Sequence, residues 1–219
     1  MEWIEETLFD SYYHQLFQFF IHEEFPSIHR SYKDEYHILI IHSCSFQPLK
    51  KFAHYLKRFH IHIYLYNQYP QFYSKIKQDI EGDELESNIH FLEGNPFDIT
   101  SFQSLHFDFI LLFHSSIFER NITDLLQILH PITLSKIYVY QSISNENPKQ
   151  LIYKNYLRNK IKHMTFLPYG NLKNHIDFIQ ELQSVSSYFQ LVKYENCYEK
   201  YIPMFGKYFI YSYLLSKNS

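Results

Sequence analysis

The chain has 219 residues and a formal net charge of -3; aromatic side chains make up 20% of it, while glycine numbers only 4. That length suits one domain with a sizeable core, and so little glycine argues against a fold that needs many tight turns or close backbone–ligand approaches. No apolar run reaches the roughly 18–20 residues of a membrane-spanning helix. The acidic start Met-Glu-Trp-Ile-Glu-Glu lacks the charge pattern of a signal peptide. Cys44 and Cys197 lie far apart, make no metal-ligand spacing and read as reduced thiols, so the expected compartment is the cytoplasm.

Taken in order, residues 3–25 read as a helix, with Trp3, Ile4, Leu8, Tyr12, Leu16, Phe19 and Phe20 recurring at steps of three and four. Pro26 ends it, and residues 1–33 are expected to form a helical cover over an α/β domain spanning 34–219. Strands are predicted at Tyr36–His42, His60–Tyr66, Ile89–Leu92, Phe107–Phe113 and Lys136–Ser142. Helices are predicted at Leu49–Arg58, Gln71–Ile80 and Ile122–Leu129, with a helical turn in Ile99–Leu105. Apolar strands alternating with amphipathic helices favour a parallel sheet covered on both faces.

The last third departs from that alternation. Leu172–Tyr188 reads as a long amphipathic helix, and Phe189–Tyr194 and Tyr208–Leu215 as two strands joined by Glu195–Lys207. Two closing strands without a helix between them predict an antiparallel edge pair. Charge is uneven as well: residues 1–35 carry eight acids against two bases. From Asn147 to Ile176 there are six bases and no acid. There Lys154, Arg158, Lys160 and Lys162 interleave with Tyr153, Tyr156, Phe166 and Tyr169, a mix suited to phosphates and stacked bases. Contact with a nucleic acid or an acidic protein partner stands beside the plainer reading of a solvated amphipathic helix. The acidic run Asp79–Glu86 reads as a solvated helix end and loop.

The segments Tyr66-Asn-Gln-Tyr-Pro70, Phe91-Leu-Glu-Gly-Asn-Pro-Phe-Asp98, Phe107-Asp-Phe-Ile-Leu-Leu-Phe113 and Leu125-Leu-Gln-Ile-Leu-His-Pro131 carry a resemblance through their order and spacing. Together they resemble the class I S-adenosylmethionine-dependent methyltransferases, over about residues 34–217. The resemblance implies a Rossmann-like α/β fold with a mostly parallel seven-stranded sheet. Its last strand is antiparallel and inserted beside the fifth. It also implies S-adenosylmethionine as cofactor if the protein is active, and none if it is a silent relative kept as a binding or assembly subunit.

Carried over residue by residue, the cofactor positions fall on His42, Ser43, Cys44, Asn67 and Asn95. The family's glycine-rich loop after the first strand is here His42-Ser-Cys-Ser-Phe-Gln-Pro48, in which every residue bears a side chain. Asn67 and Asn95 stand where acids usually hold the ribose and neighbour the adenine. An amide still accepts a hydrogen bond but loses the charge-assisted one. Cofactor binding is therefore expected to be weakened, altered or lost. His114, after the fourth strand, is the best single candidate for a general base, beside its reading as a solvated loop histidine. A nucleophilic Cys44 assisted by His42 has no orienting acid nearby, so packing is the expectation there. His60 and His62 are expected on one strand face, without enough further ligands for a metal.

Overall fold

A computed structural model describes residues 14–24, 26, 28, 30, 33–41, 47–66, 70–93, 104–113, 122–144, 156, 173–202 and 206–218. Contacts divide the chain into two compact units, 1–111 with 132–135 and 112–131 with 136–219. Hydrogen-bonded strands run β3 (Ile89–Leu92), β2 (Ile61–Tyr66), β1 (Tyr36–Ile41) and β4 (Phe107–Phe113) in the first unit, and β5 (Thr133–Ser144), β8 (Gly206–Lys217) and β7 (Phe189–Ile202) in the second, where a short β6 (Lys173–Asn174) pairs with β5.

In the first unit, β1 (Tyr36–Ile41) pairs in parallel with β2 (Ile61–Tyr66), and β2 with β3 (Ile89–Leu92). Five of the six β1 residues are buried, as a parallel strand covered on both faces requires. β4 (Phe107–Phe113) is buried along its whole length. Helix α1, described over 14–24, turns Leu16, Phe17, Phe20 and Ile21 inward and leaves Gln18 and His22 exposed; Pro26, expected to end the helix, is itself helical, as are Ile28 and Arg30. Its Phe20 ring meets Phe109 edge-on at 5.5 Å.

The expected helix over Leu49–Arg58 is two pieces, α2 (Gln47–Lys51) and α3 (Ala53–Arg58), broken at Phe52. The break turns the Phe52 ring toward α1, where it stacks on His14 at 5.5 Å and meets Phe17 edge-on at 5.3 Å. Aromatic packing here overrides the continuity that the sequence pattern suggests. His60, expected in β2, precedes it as an exposed turn residue with φ 47°. It therefore shares no strand face with His62.

Helix α4 (Pro70–Ile80) ends at Gly82, whose φ of 70° is the left-handed conformation that glycine adopts at a helix stop. The acidic loop that follows is less solvated than its sequence suggests. Asp83 forms an ion pair with Lys50 at 2.8 Å, its side chain 10% exposed. That partner and the backbone N–H of Leu85 hold the Asp83 carboxyl below the usual carboxylate range. Asn88 closes the loop by donating to the Ile61 carbonyl at 3.1 Å.

Asp108, the second residue of β4, is buried among apolar neighbours. It accepts the backbone N–H of His37 at 2.9 Å and pairs with Lys33, in the segment leading into β1. A buried carboxylate is tolerable only with such partners. The pair fixes the entry of the chain into the sheet.

In the second unit, α5 (Ile122–Leu129) buries Ile122, Leu125, Leu126 and Leu129. β5 (Thr133–Ser144) pairs antiparallel with β8 (Gly206–Lys217), from Lys136↔Ser216 to Ile143↔Phe209. The last strand thus lies beside the fifth, as expected. β8 also pairs antiparallel with β7 (Phe189–Ile202), a strand carried well past the Tyr194 limit expected from sequence. Residues 195–202 read as a link because charged side chains interrupt them, but β7 is an edge strand and tolerates charge on both faces. Its two register shifts, at Leu191/Lys193 and Asn196/Tyr198, are where that edge bends.

Helix α6 (His175–Gln183) is shorter than the expected Leu172–Tyr188. At its start Lys173–Asn174 form β6, paired with Ile143 and Ser144, and Asn174 accepts the Ile176 N–H at 2.9 Å as an N-cap. At its end Ser184 donates its hydroxyl to the Glu181 carbonyl at 2.7 Å. The Ser184-Val185-Ser186-Ser187 run then turns instead of continuing, as serine side chains that bond nearby backbone allow.

Candidate functional site

Register decides where ligand-facing groups gather in the first unit. Ile41 is paired with Tyr66 and Tyr66 with Leu92, so β1, β2 and β3 end level with one another. Their carboxyl ends form one edge, the place where open parallel sheets take ligands. The residues expected to hold a cofactor, His42, Ser43, Cys44, Asn67 and Asn95, follow these three ends and lie outside the described residues. The same is true of His114, after β4, of Lys154, Arg158, Lys160 and Lys162, and of the turn expected within 99–103.

Two described residues mark that edge. Tyr66 is buried at the end of β2, and burial pushes its hydroxyl up to about 12, so it stays protonated. Glu93 follows β3 directly, its side chain 81% exposed and 3.8 Å from Lys77 of α4. Sequence reading has Asn95 standing where the family's acid usually lies and does not weigh Glu93, although the end of β3 at Leu92 is legible.

A second cluster lies near the opposite, amino ends of the same strands. His37, His62 and His90 are each the second residue of β1, β2 and β3. The His37 and His62 rings stack at 5.6 Å, and those of His62 and His90 at 5.3 Å. His62 Nδ1 and His90 Nε2 are 3.1 Å apart, and His37 Nδ1 is 3.1 Å from the Tyr64 hydroxyl. Glu35 reaches His37 Nε2 at 3.2 Å and His62 Nε2 at 3.9 Å. Hydrogen bonding and charge from His37 hold the Glu35 carboxyl low; burial, then the neighbouring imidazoles, hold His90 low. Sequence reading weighed only His60 with His62, because nothing in the chain spacing links positions 37, 62 and 90.

The second unit carries one comparable constellation. His175 Nδ1 lies 2.7 Å from the Tyr213 hydroxyl, with the Tyr194 and Tyr211 rings at 4.7 and 4.8 Å. Burial lowers His175 and raises Tyr213, so a neutral imidazole meets a protonated phenol. That contact gives the buried hydroxyl its partner and seats α6 on the β7–β8 hairpin. Cys197 is a free thiol that donates to the Ile210 carbonyl, and burial pushes it far above reactive values. An open cavity of about 520 Å³ is lined by α1 and α3, chiefly Ile21, Phe52, Tyr55 and Phe59 with Gln18 and Arg58. None of its lining residues follows a strand end. Among the described residues no group of three or more ligating side chains converges on a metal position, and no helix is long and apolar enough to cross a membrane.

Strand order, the parallel β1–β3 core and an antiparallel β8 beside β5 define the divergent Rossmann-like fold of class I methyltransferases. No family model and no curated protein matches the sequence. Solved structures match the fold. MccD protein has 11% identity and a TM-score of 0.60, over 85% of this chain and 91% of its own. A proposed sarcosine dimethylglycine methyltransferase from Galdieria sulphuraria has 9% identity and a TM-score of 0.62, over 90% and 82%. A proposed S-adenosyl-L-methionine-dependent methyltransferase from Methanococcus maripaludis has 17% identity and a TM-score of 0.56, over 100% and 91%. At these identities the likeness is one of fold.

Proposed function

We propose that this chain is a methyltransferase-like protein whose ligand edge is the carboxyl end of β1, β2 and β3, with a weakened hold on S-adenosylmethionine. The observation that carries this is the level ending of the three strands at Ile41, Tyr66 and Leu92. The segments after β1, β2 and β3 therefore start from one edge. The donor set there fits the cofactor in part. Glu93 supplies an exposed carboxylate on the adenine side, and Asn67 an amide for the ribose hydroxyls. His42, Ser43 and Cys44 follow β1 where the family's segment is rich in glycine, and a side chain at each position leaves less room for a ligand to approach the backbone. When bound, S-adenosylmethionine supplies an activated methyl group, and His114, which follows β4 in sequence, is our candidate to accept a proton from a substrate.

The glycine-free loop favours a second reading, a catalytically silent binding or assembly subunit. Its contact would be the basic 147–176 segment, where Tyr156 is 57% exposed, with a nucleic acid or an acidic protein. One experiment separates the two. Amide chemical shifts are followed while S-adenosylhomocysteine is raised to millimolar concentration. The first reading predicts changes at Ile41, Tyr66, Leu92 and Glu93 that Glu93→Ala reduces. Silence at all four with an intact fold removes it and leaves the second.

A further inference from the structure

We propose that His62 and His90 form a two-point chelate for a divalent transition-metal ion on the sheet face they share, at the end of the strands opposite the cofactor edge. His62 Nδ1 and His90 Nε2 are 3.1 Å apart on neighbouring strands. Zinc–imidazole bonds run about 2.0–2.1 Å, so two such nitrogens at angles between square and tetrahedral lie about 2.9–3.4 Å apart. The pair already has that spacing with both backbones fixed in the sheet. Without an ion, one of the two nitrogens carries the proton of their hydrogen bond; on loading, that proton moves to the other nitrogen of its ring, and a small rotation of each ring turns both lone pairs toward a single ion.

The surroundings suit the task. Glu35 stands 3.9 Å from His62 Nε2, on the side away from His90. A carboxylate beside the far nitrogen favours the tautomer that leaves Nδ1 free to ligate. The His62 side chain is 27% exposed and His90 is half-buried, so water reaches the ion and fills its remaining positions. His37 stacks on His62 but points its nitrogens at Tyr64 and Glu35, which makes it a wall and not a ligand. Two imidazoles and water select borderline ions, with Cu²⁺ held more tightly than Zn²⁺ or Ni²⁺, and Mg²⁺ left unbound. With two protein ligands the site loads reversibly. When loaded it ties the edge strand β3, only four residues long, to β2.

The test is calorimetry on the full chain at neutral pH after chelator treatment, titrated with CuCl₂, ZnCl₂ and MgCl₂. Saturable Cu²⁺ binding tighter than that of Zn²⁺, with no heat from Mg²⁺, is the expected result. His62→Gln and His90→Gln should each weaken Cu²⁺ by about tenfold or more. His54→Gln, on the exposed side of α3, should leave it unchanged. Variant and wild-type curves that superimpose would overturn the proposal. A second measurement needs no variant: Cu²⁺ added to labelled wild-type protein should broaden amides around Ile61–Tyr64 and Ile89–Phe91 first. Broadening centred anywhere else would also overturn it.

Discussion

Asp108 shows what one residue contributes to this sheet. Its carboxylate takes the His37 N–H and the Lys33 ammonium while lying buried in β4. Replacing it with alanine leaves that N–H without its acceptor, the kind of loss that costs about 1–3 kcal/mol. Lys33 is 38% exposed, so solvent screens its share of the pair. We expect Asp108→Ala to lower stability by about 2 kcal/mol in urea unfolding, and Asp108→Asn, which keeps an acceptor, by roughly half. A midpoint unchanged in the alanine variant would show that the pair does not anchor the entry to β1. The sequence made Phe107-Asp108 visible only as a strand opening. Neither Lys33 nor His37 stands at a spacing that reveals the bond.

At the scale of elements, β3, β4 and α5 have the limits their sequences predict, because each is a short apolar run or stripe bounded by polar residues. The misses have physical causes. Phe52 breaks a helix because its ring is wanted by α1, and β7 runs on through charged residues because an edge strand need not be apolar. The candidate site was legible as an edge, while its chemistry divides otherwise. Glu93 was passed over, and the histidine ladder assembles from three strands that only the fold brings together. Gly82 offers a clean test of one stop signal. Its φ is 70°, and nothing lies within 4 Å of where a Cβ would sit. Gly82→Ala therefore carries backbone strain alone, about 1–2 kcal/mol. Stability falling by that amount in thermal unfolding, with an unchanged circular-dichroism spectrum, is the expected outcome; no loss would mean the loop relaxes out of the left-handed region.

For the whole molecule, proton linkage sets a direction. Burial lowers His14, His130 and His175, helped by Lys51 at the first and Lys217 at the second. The unfolded chain takes up protons near the ordinary histidine value of about 6.5, and the folded chain resists until lower pH. Stability contributed by these groups is therefore present above about pH 6.5 and declines as pH falls below it. Asp83, held low by Lys50, adds a further loss at more acidic pH, below its unfolded carboxylate value. Unfolding midpoints measured downward from neutral pH should decline through this window, and His175→Phe should flatten the slope. A midpoint rising over the same range would contradict the linkage.

We propose that this chain keeps the class I methyltransferase sheet while loosening its hold on S-adenosylmethionine. Calorimetric titration with S-adenosylmethionine and S-adenosylhomocysteine tests it most directly. With Asn67 proposed where the family's ribose-binding acid stands, loss of that charged contact would cost about 1–3 kcal/mol. Together with the side chains that Ser43, Cys44, Ser45 and Phe46 bring to the segment after β1, such a loss would move a micromolar site toward millimolar, each 1.4 kcal/mol being about tenfold. The account predicts no dissociation constant tighter than about 100 μM for either compound. A constant in the low micromolar range for either one would contradict it.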